Sequence, residues 1–155
     1  MDSRVSSAKA TRGYELVFTV ADYYDGPRQG VANYRGEPHF YDCVFDQEED
    51  EYSDLYRLTP IDQRTFELAV EAWAIWRKWE LAYHSGKVKS DSHPALRADT
   101  TKYKRIWRKL DASLKTDSAT CISRKGHFKA IEAPKLPKGV LRPFQVKWLQ
   151  PERTR

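Results

Sequence analysis

Three observations predict an α+β fold, in which an antiparallel sheet of about five to seven strands packs against two helices. Short segments rich in β-branched and aromatic residues, separated by turn chemistry, fill the chain up to Leu58. One long Trp-bearing segment with helical periodicity follows, and a shorter amphipathic one comes after it. Further strand-like segments close the chain, so the order is β-β-β-(β)-α-α-β-β-β, which favours antiparallel pairing with the helices on one face.

Tyr14 to Ala21 is the first expected strand. Leu16, Phe18 and Val20 lie on one side and Val17, Thr19 and Ala21 on the other, so both faces are expected to be at least half buried. Asp25-Gly26-Pro27 ends it with strong turn chemistry. Gly30 to Tyr34 and His39 to Phe45 follow as strands, joined through Arg35-Gly36. After an acidic loop, Asp46 to Glu51, a short strand is expected over Leu55 to Leu58.

Thr59-Pro60-Ile61-Asp62 has the chemistry of a helix start, with Thr59 as cap and Pro60 in the first turn. The helix is expected to run to about His84, with Ser85-Gly86 as its stop. Glu67, Glu71 and Lys78 form a narrow polar strip, while Leu68, Val70, Trp73, Ile75, Trp76 and Trp79 cover much of the rest. So wide an apolar arc predicts a largely buried, central helix that packs on more than one side. Thr100 to Leu114 is a second helix, with Tyr103, Ile106, Trp107, Leu110 and Leu114 on its core stripe. Ala119 to Arg124 and His127 to Ile131 are expected as a hairpin around Lys125-Gly126. A Pro-rich loop, Pro134 to Gly139, leads to a last strand, Phe144 to Leu149.

The chain has 155 residues, which suggests one domain over residues 14–150, with polar tails at 1–13 and 151–155. The N-terminus lacks the apolar stretch of a secretory signal, and no segment has the length of a membrane span. Cys43 and Cys121 sit among apolar neighbours without zinc-type spacing and are expected as buried, reduced thiols. A cytoplasmic protein without membrane contact, metal or cofactor is the resulting expectation.

Charge is unevenly placed. Tyr14 to Asp62 holds 12 Asp/Glu and 3 Lys/Arg, a net of −9, whereas Gln63 to Arg155 holds 21 Lys/Arg and 9 Asp/Glu, a net of +12. Such polarity steers partners more than the total charge does.

Four clusters are candidate sites. Asp22, Tyr24, Asp25 and Arg28 converge where the first strand ends, and His39, Tyr41 and Asp42 are expected nearby across the sheet. Charge-assisted bonds from Arg28 and phenol hydroxyls are suited to gripping a ligand or partner. A packed turn in which Arg28 bridges the carboxylates is the structural alternative. Arg77, Glu80 and His84 share one edge of the long helix. Lys102, Lys104, Arg105, Arg108 and Lys109 on the second helix, with Arg124 and Lys125 after it, form a basic patch suited to phosphates or an acidic protein, or simply to solvent. The acidic loop is expected to solubilise.

No nucleophile triad, phosphate-cradling Gly loop or metal-binding motif occurs. The function expected first is a non-catalytic binding module, an accessory, regulatory or inhibitory subunit acting through protein–protein contacts. Tyr, Trp and Arg, which are abundant here, are the residue types enriched at interface hot spots. A nucleic-acid-binding protein using the basic patch comes second. A small enzyme or ligand binder using the Asp/Tyr/His cluster comes third.

Overall fold

The computed structural model describes residues 10–132 and 135–152. The expected N-terminal tail as far as residue 9, Ala133 and Pro134 at the start of the Pro-rich loop, and residues 153–155 lie outside the described residues. Thr11 is tied down, its N–H donating to Gln145 Oε1 at 2.7 Å.

Four strands come first: β1 (Glu15–Tyr23), β2 (Pro27–Tyr34), β3 (Glu37–Asp46) and β4 (Glu51–Pro60). Two helices follow, α1 (Gln63–His84) and α2 (Thr100–Ser113), with short 3₁₀ turns at Ser90–Ser92 and Arg97–Asp99 between them. β5 (Ile122–Ala130) and β6 (Phe144–Leu149) complete the chain. The described residues are thus α+β, with six antiparallel strands and two helices, as the pattern predicts. No helix among the described residues is long and apolar enough to cross a membrane.

The expected open sheet is corrected. Each strand pairs with the next, β4 pairs with β5 across the helical insertion, and β6 returns to β1, so the sheet closes into a barrel. The closing seam is short, with Glu15↔Val146 and Leu16↔Gln145 as its register pairs. Closure removes the sheet edges that would otherwise stay exposed. It also explains why β1 is apolar on both sides. One side faces the barrel interior and the other faces the helices.

A barrel of only six strands is narrow, and its own side chains fill it. Ala32, Tyr41, Cys43, Tyr56, Leu58 and Val146 are buried together there, with Phe128 and Trp148 against them. Tyr41 and Tyr56 each lie 5.2 Å from the Phe128 ring, and Trp148 lies 5.6 Å from both Tyr56 and Phe128. Each polar handle in this ring cluster finds a backbone carbonyl. Tyr41 Oη donates to Thr19 (2.8 Å), Tyr56 Oη to Pro27 (2.7 Å) and Trp148 Nε1 to Asn33 (2.9 Å).

The expected hairpin around Lys125-Gly126 is also corrected. β5 runs straight through Gly126, because a Cβ there would stand 2.7 Å from the Trp148 ring and 2.8 Å from Tyr56. The glycine makes room for rings rather than a turn. A true two-residue turn sits at Arg35-Gly36, where both residues have positive φ, 52° and 77°. Their N–H groups donate to the Glu15 carboxylate at 3.0 and 2.8 Å.

The helix start moves as well. Thr59 and Pro60 belong to β4, paired with Phe40 and His39, and Asp62 is the N-cap, its Oδ1 accepting from Thr65 N at 2.7 Å. That bond holds the Asp62 carboxyl below its usual range. Outside the barrel, Val31 packs with Leu68, Ala69, Ala72 and Ile75 of α1 and with Ile106 and Leu110 of α2. Phe18 meets Phe66 edge to face at 4.9 Å. On α1, Trp79 is buried, Trp73 and Trp76 are half-buried, and Leu81 and Tyr83 are exposed.

Two outcomes follow from the filled interior. A Cβ on Gly30 would collide with the Thr19 carbonyl and the Tyr41 hydroxyl. Gly30→Ala should therefore cost about 1–3 kcal/mol, seen as a lower denaturation midpoint at unchanged slope. Burial, reinforced by their mutual proximity, pushes the Tyr41 phenol well above its ordinary 10.0, and burial with the neighbouring Cys43 raises Tyr56. Both favour the protonated folded state, so stability should be intact below pH 10 and fall as pH climbs through the alkaline range. Phenolate absorbance and loss of fold should rise together; phenolate from these two side chains in a still-folded barrel would contradict their burial.

Candidate functional site

Because the barrel is filled, the space suited to a ligand lies outside it. On α1, Ala69, Ala72, Trp73, Trp76 and Glu80 follow one another at helical spacing and form a single stripe. Tyr103, Trp107, Leu110 and Leu114 form the matching stripe of α2. The two stripes and Thr19, Val20, Ala21 and Tyr23 of β1 line a cleft of about 440 Å³. Small Ala69 and Ala72 share its lining with the larger rings of Trp73, Trp76, Tyr103, Trp107 and Tyr23.

Trp73 and Trp76 stack with centroids 5.0 Å apart and planes at 25°, and Tyr103 and Trp107 are 6.4 Å apart. His93 stands at the rim, its Nε2 accepting from Trp76 Nε1 at 3.4 Å and its ring meeting Trp79 edge-on at 4.7 Å. Trp79 Nε1 donates to Ser92 Oγ at 2.7 Å, which pins the loop bearing His93. Burial raises the Tyr103 phenol, which stays a neutral hydroxyl.

Glu80 is 4% exposed and closes one end of the cleft. Both of its oxygens are engaged: Oε1 with Arg77 Nη1 at 2.5 Å and Oε2 with the Leu141 N–H at 2.8 Å. Arg77 Nη1 also donates to the Leu141 carbonyl at 2.7 Å and lies over the Trp73 ring at 5.5 Å. The pair fastens α1 to the segment before β6. His84, the third residue of that candidate trio, is exposed and packs against Gly139 and Tyr83.

A second, wider depression of about 720 Å³ lies on the other flank of α1. Four of its charged residues pair with one another, Lys102 with Glu71 at 2.7 Å and Lys78 with Asp99 at 3.3 Å, and Arg77 pairs with Glu80 outside it. The two differ in their rings: Tyr23, Trp73, Trp76, Tyr103 and Trp107 line the first cleft, and Phe18 and Trp73 the second.

The strand-end residues divide between the two ends of the barrel. Asp22 pairs with Gln29 and Gln29 with Asp42, so these three form one row. Asp42 is satisfied by Gln29 Nε2 at 3.0 Å and Thr116 Oγ1 at 3.1 Å. Arg28 does not bridge the carboxylates. It donates to the carbonyls of Tyr24 (2.7 Å) and Asp25 (3.0 Å), covers the Tyr52 ring at 4.6 Å and approaches Cys43 Sγ at 3.6 Å. Burial keeps the Cys43 thiol above its ordinary value despite Arg28. Tyr24 and Asp25 are exposed, and Tyr41 is fully buried in the barrel. His39 lies toward the opposite end, paired with Ala32 and Pro60, about 10 Å along the strand from Asp42. Its Nδ1 donates to the Glu37 carbonyl at 2.8 Å. Among the described residues no group of three or more His, Cys, Asp or Glu is arranged to hold a metal.

The basic residues also separate. Lys104, Arg105, Arg108 and Lys109 are exposed on α2, and Lys102 pairs with Glu71. Arg124 bonds Tyr34 Oη at 3.0 Å, and Lys125 reaches Glu152 (3.3 Å) and Asp54 (3.9 Å), so neither extends the α2 face. Sequence reasoning missed the cleft. Its one signal was the apolar arc of α1, which is wider than a single packing face needs.

Removing Arg77 should leave Glu80 buried and unpaired. Arg77→Met should cost about 3–5 kcal/mol, and Arg77→Met/Glu80→Gln should cost less. Denaturation of both variants measures this; a double variant weaker than the single one would contradict the coupling. In comparison with known proteins, the chain matches no family model, no curated protein and no solved structure.

Proposed function

We propose that this protein is a non-catalytic binding module whose principal site is the cleft between α1, α2 and β1. The observation that carries the reading is the form of that cleft: aromatic rings from both helices, small alanines among them, and a single carboxylate already neutralised by Arg77. Its volume falls within the range of about 300–1,000 Å³ usual for small-molecule sites. Rings contributed by both helices favour a flat, apolar guest, which gains buried area against them. A library of small planar molecules should include members that quench the fluorescence of the half-buried tryptophans. Trp76→Ala should weaken such hits about tenfold or more, roughly 1.4 kcal/mol, with little change in fold. Hits that bind the variant as well as the original would remove the cleft from the reading.

A protein partner is the second reading, and one observation favours it. Tyr23 and Tyr24 are 51% and 70% exposed at the acidic end of the barrel, and Phe45 stands beside Tyr52 there at 5.1 Å. Exposed rings of this kind are typical anchors of an interface. A stoichiometric partner recovered from the native cells should be lost with Tyr24→Ser/Phe45→Ser. Unchanged recovery with that variant would argue against this surface.

A further inference from the structure

We infer that the cleft takes a planar heteroaromatic ligand bearing an anionic group, the chemistry of a nucleotide, with its ring against the aromatic lining and its phosphate at the α2 rim. The inference rests on the reading of the cleft as a binding site and adds the class of its ligand.

The interior and the rim differ in charge. Among the described residues no Lys or Arg lines the cleft, so the interior suits a ring and not a bare anion. An organic cation is disfavoured too, because the Arg77 guanidinium already neutralises Glu80 and occupies a face of Trp73. At the rim the balance changes. Residues three and four apart share a helix face, so Lys104 stands beside Trp107, and Arg108 lies one turn beyond Lys104 on the same flank. Both are exposed, and among the described residues neither has a carboxylate within 4.0 Å; Asp111 shares their flank without pairing. Arg105 and Lys109 point to the far face of α2, and Lys102 is held by Glu71. Two exposed cations beside an aromatic slot whose described lining holds no Lys or Arg match a ligand that is flat at one end and negative at the other. His93 adds a polar edge at the mouth, where a ring nitrogen or exocyclic amine can be met.

The same chemistry comes from a free nucleotide or from a single strand of nucleic acid. Aromatic platforms flanked by Lys and Arg serve both.

Titration of AMP, adenosine and inorganic phosphate at low salt, followed by tryptophan fluorescence, tests this. AMP should bind about tenfold tighter than adenosine, because the phosphate adds charge-assisted bonds, and phosphate alone should bind more weakly than AMP. Lys104→Gln/Arg108→Gln should erase the gap between AMP and adenosine, whereas Arg105→Gln/Lys109→Gln should keep it. Trp107→Leu should weaken AMP and adenosine alike. A short single-stranded oligoadenylate that binds tighter than AMP, with a steep salt dependence, assigns the polymer; equal or weaker binding assigns the free nucleotide. Equal affinity for AMP and adenosine overturns the anionic half of the inference and leaves the cleft a site for rings. Equal losses in the two double variants overturn the rim assignment. Failure of AMP and adenosine alike, where planar library hits still bind, overturns the nucleotide class alone.

Discussion

Six strands closed on themselves leave room for side chains and little else, and that constraint shapes the rest of the molecule. Tyr41, Tyr56, Phe128 and Trp148 come from four different strands and meet at the axis. Their hydroxyl and indole groups are each satisfied by a main-chain carbonyl, so the interior is dense without stranding a polar atom; no buried side-chain nitrogen or oxygen among the described residues lacks a partner. Two glycines tolerate this crowding. Gly30 lies under the Tyr41 hydroxyl and Gly126 between Tyr56 and Trp148. The filled barrel carries the helices and the connections on its outside.

What is attached sorts by charge. The β1–β2 and β3–β4 connections meet at one end, where Tyr24 and Tyr52 are 6.2 Å apart, and carry Asp25, Asp46, Glu48, Glu49, Asp50 and Glu51. The long insertion between β4 and β5 carries the exposed cations of α2. The contrast between −9 and +12 in the two parts of the chain is thus a contrast between two regions of one surface. Few of those charges cancel across the fold. The ion pairs among the described residues are mainly within the helical layer or around Lys125.

Much of the fold could be read from the chain because its signals were local. Arg35-Gly36 is a turn in both readings, and the core stripe of α2 reappears as Ile106 and Leu110 in the core with Tyr103, Trp107 and Leu114 against it. Errors arose where a distant residue decided. Lys125-Gly126 has turn chemistry, but the rings of Tyr56 and Trp148 make the glycine a point of close approach. Thr59 and Asp62 are both competent caps, and pairing of Pro60 with His39 extends the strand past the first of them. The cleft was hidden for the same reason. Trp73 and Trp107 are both apolar positions on helices, and nothing local tells a ring that lines a cavity from one that fills it. Arg28 shows the limit for polar clusters, since its partners proved to be backbone carbonyls, which no side-chain pattern records.

The seam between β1 and β6 joins residue 15 to residue 146, so nearly the whole chain lies between the two sides of the last joint. During vectorial synthesis the first four strands, which pair with one another, emerge long before β5 and β6. Tyr41 and Tyr56 then have neither Phe128 nor Trp148 to cover them, and the half-built sheet shows its aromatic lining to water. Such long-range closure makes folding slow and late. The helical layer differs, because its partners on β1 and β2 precede it in the chain.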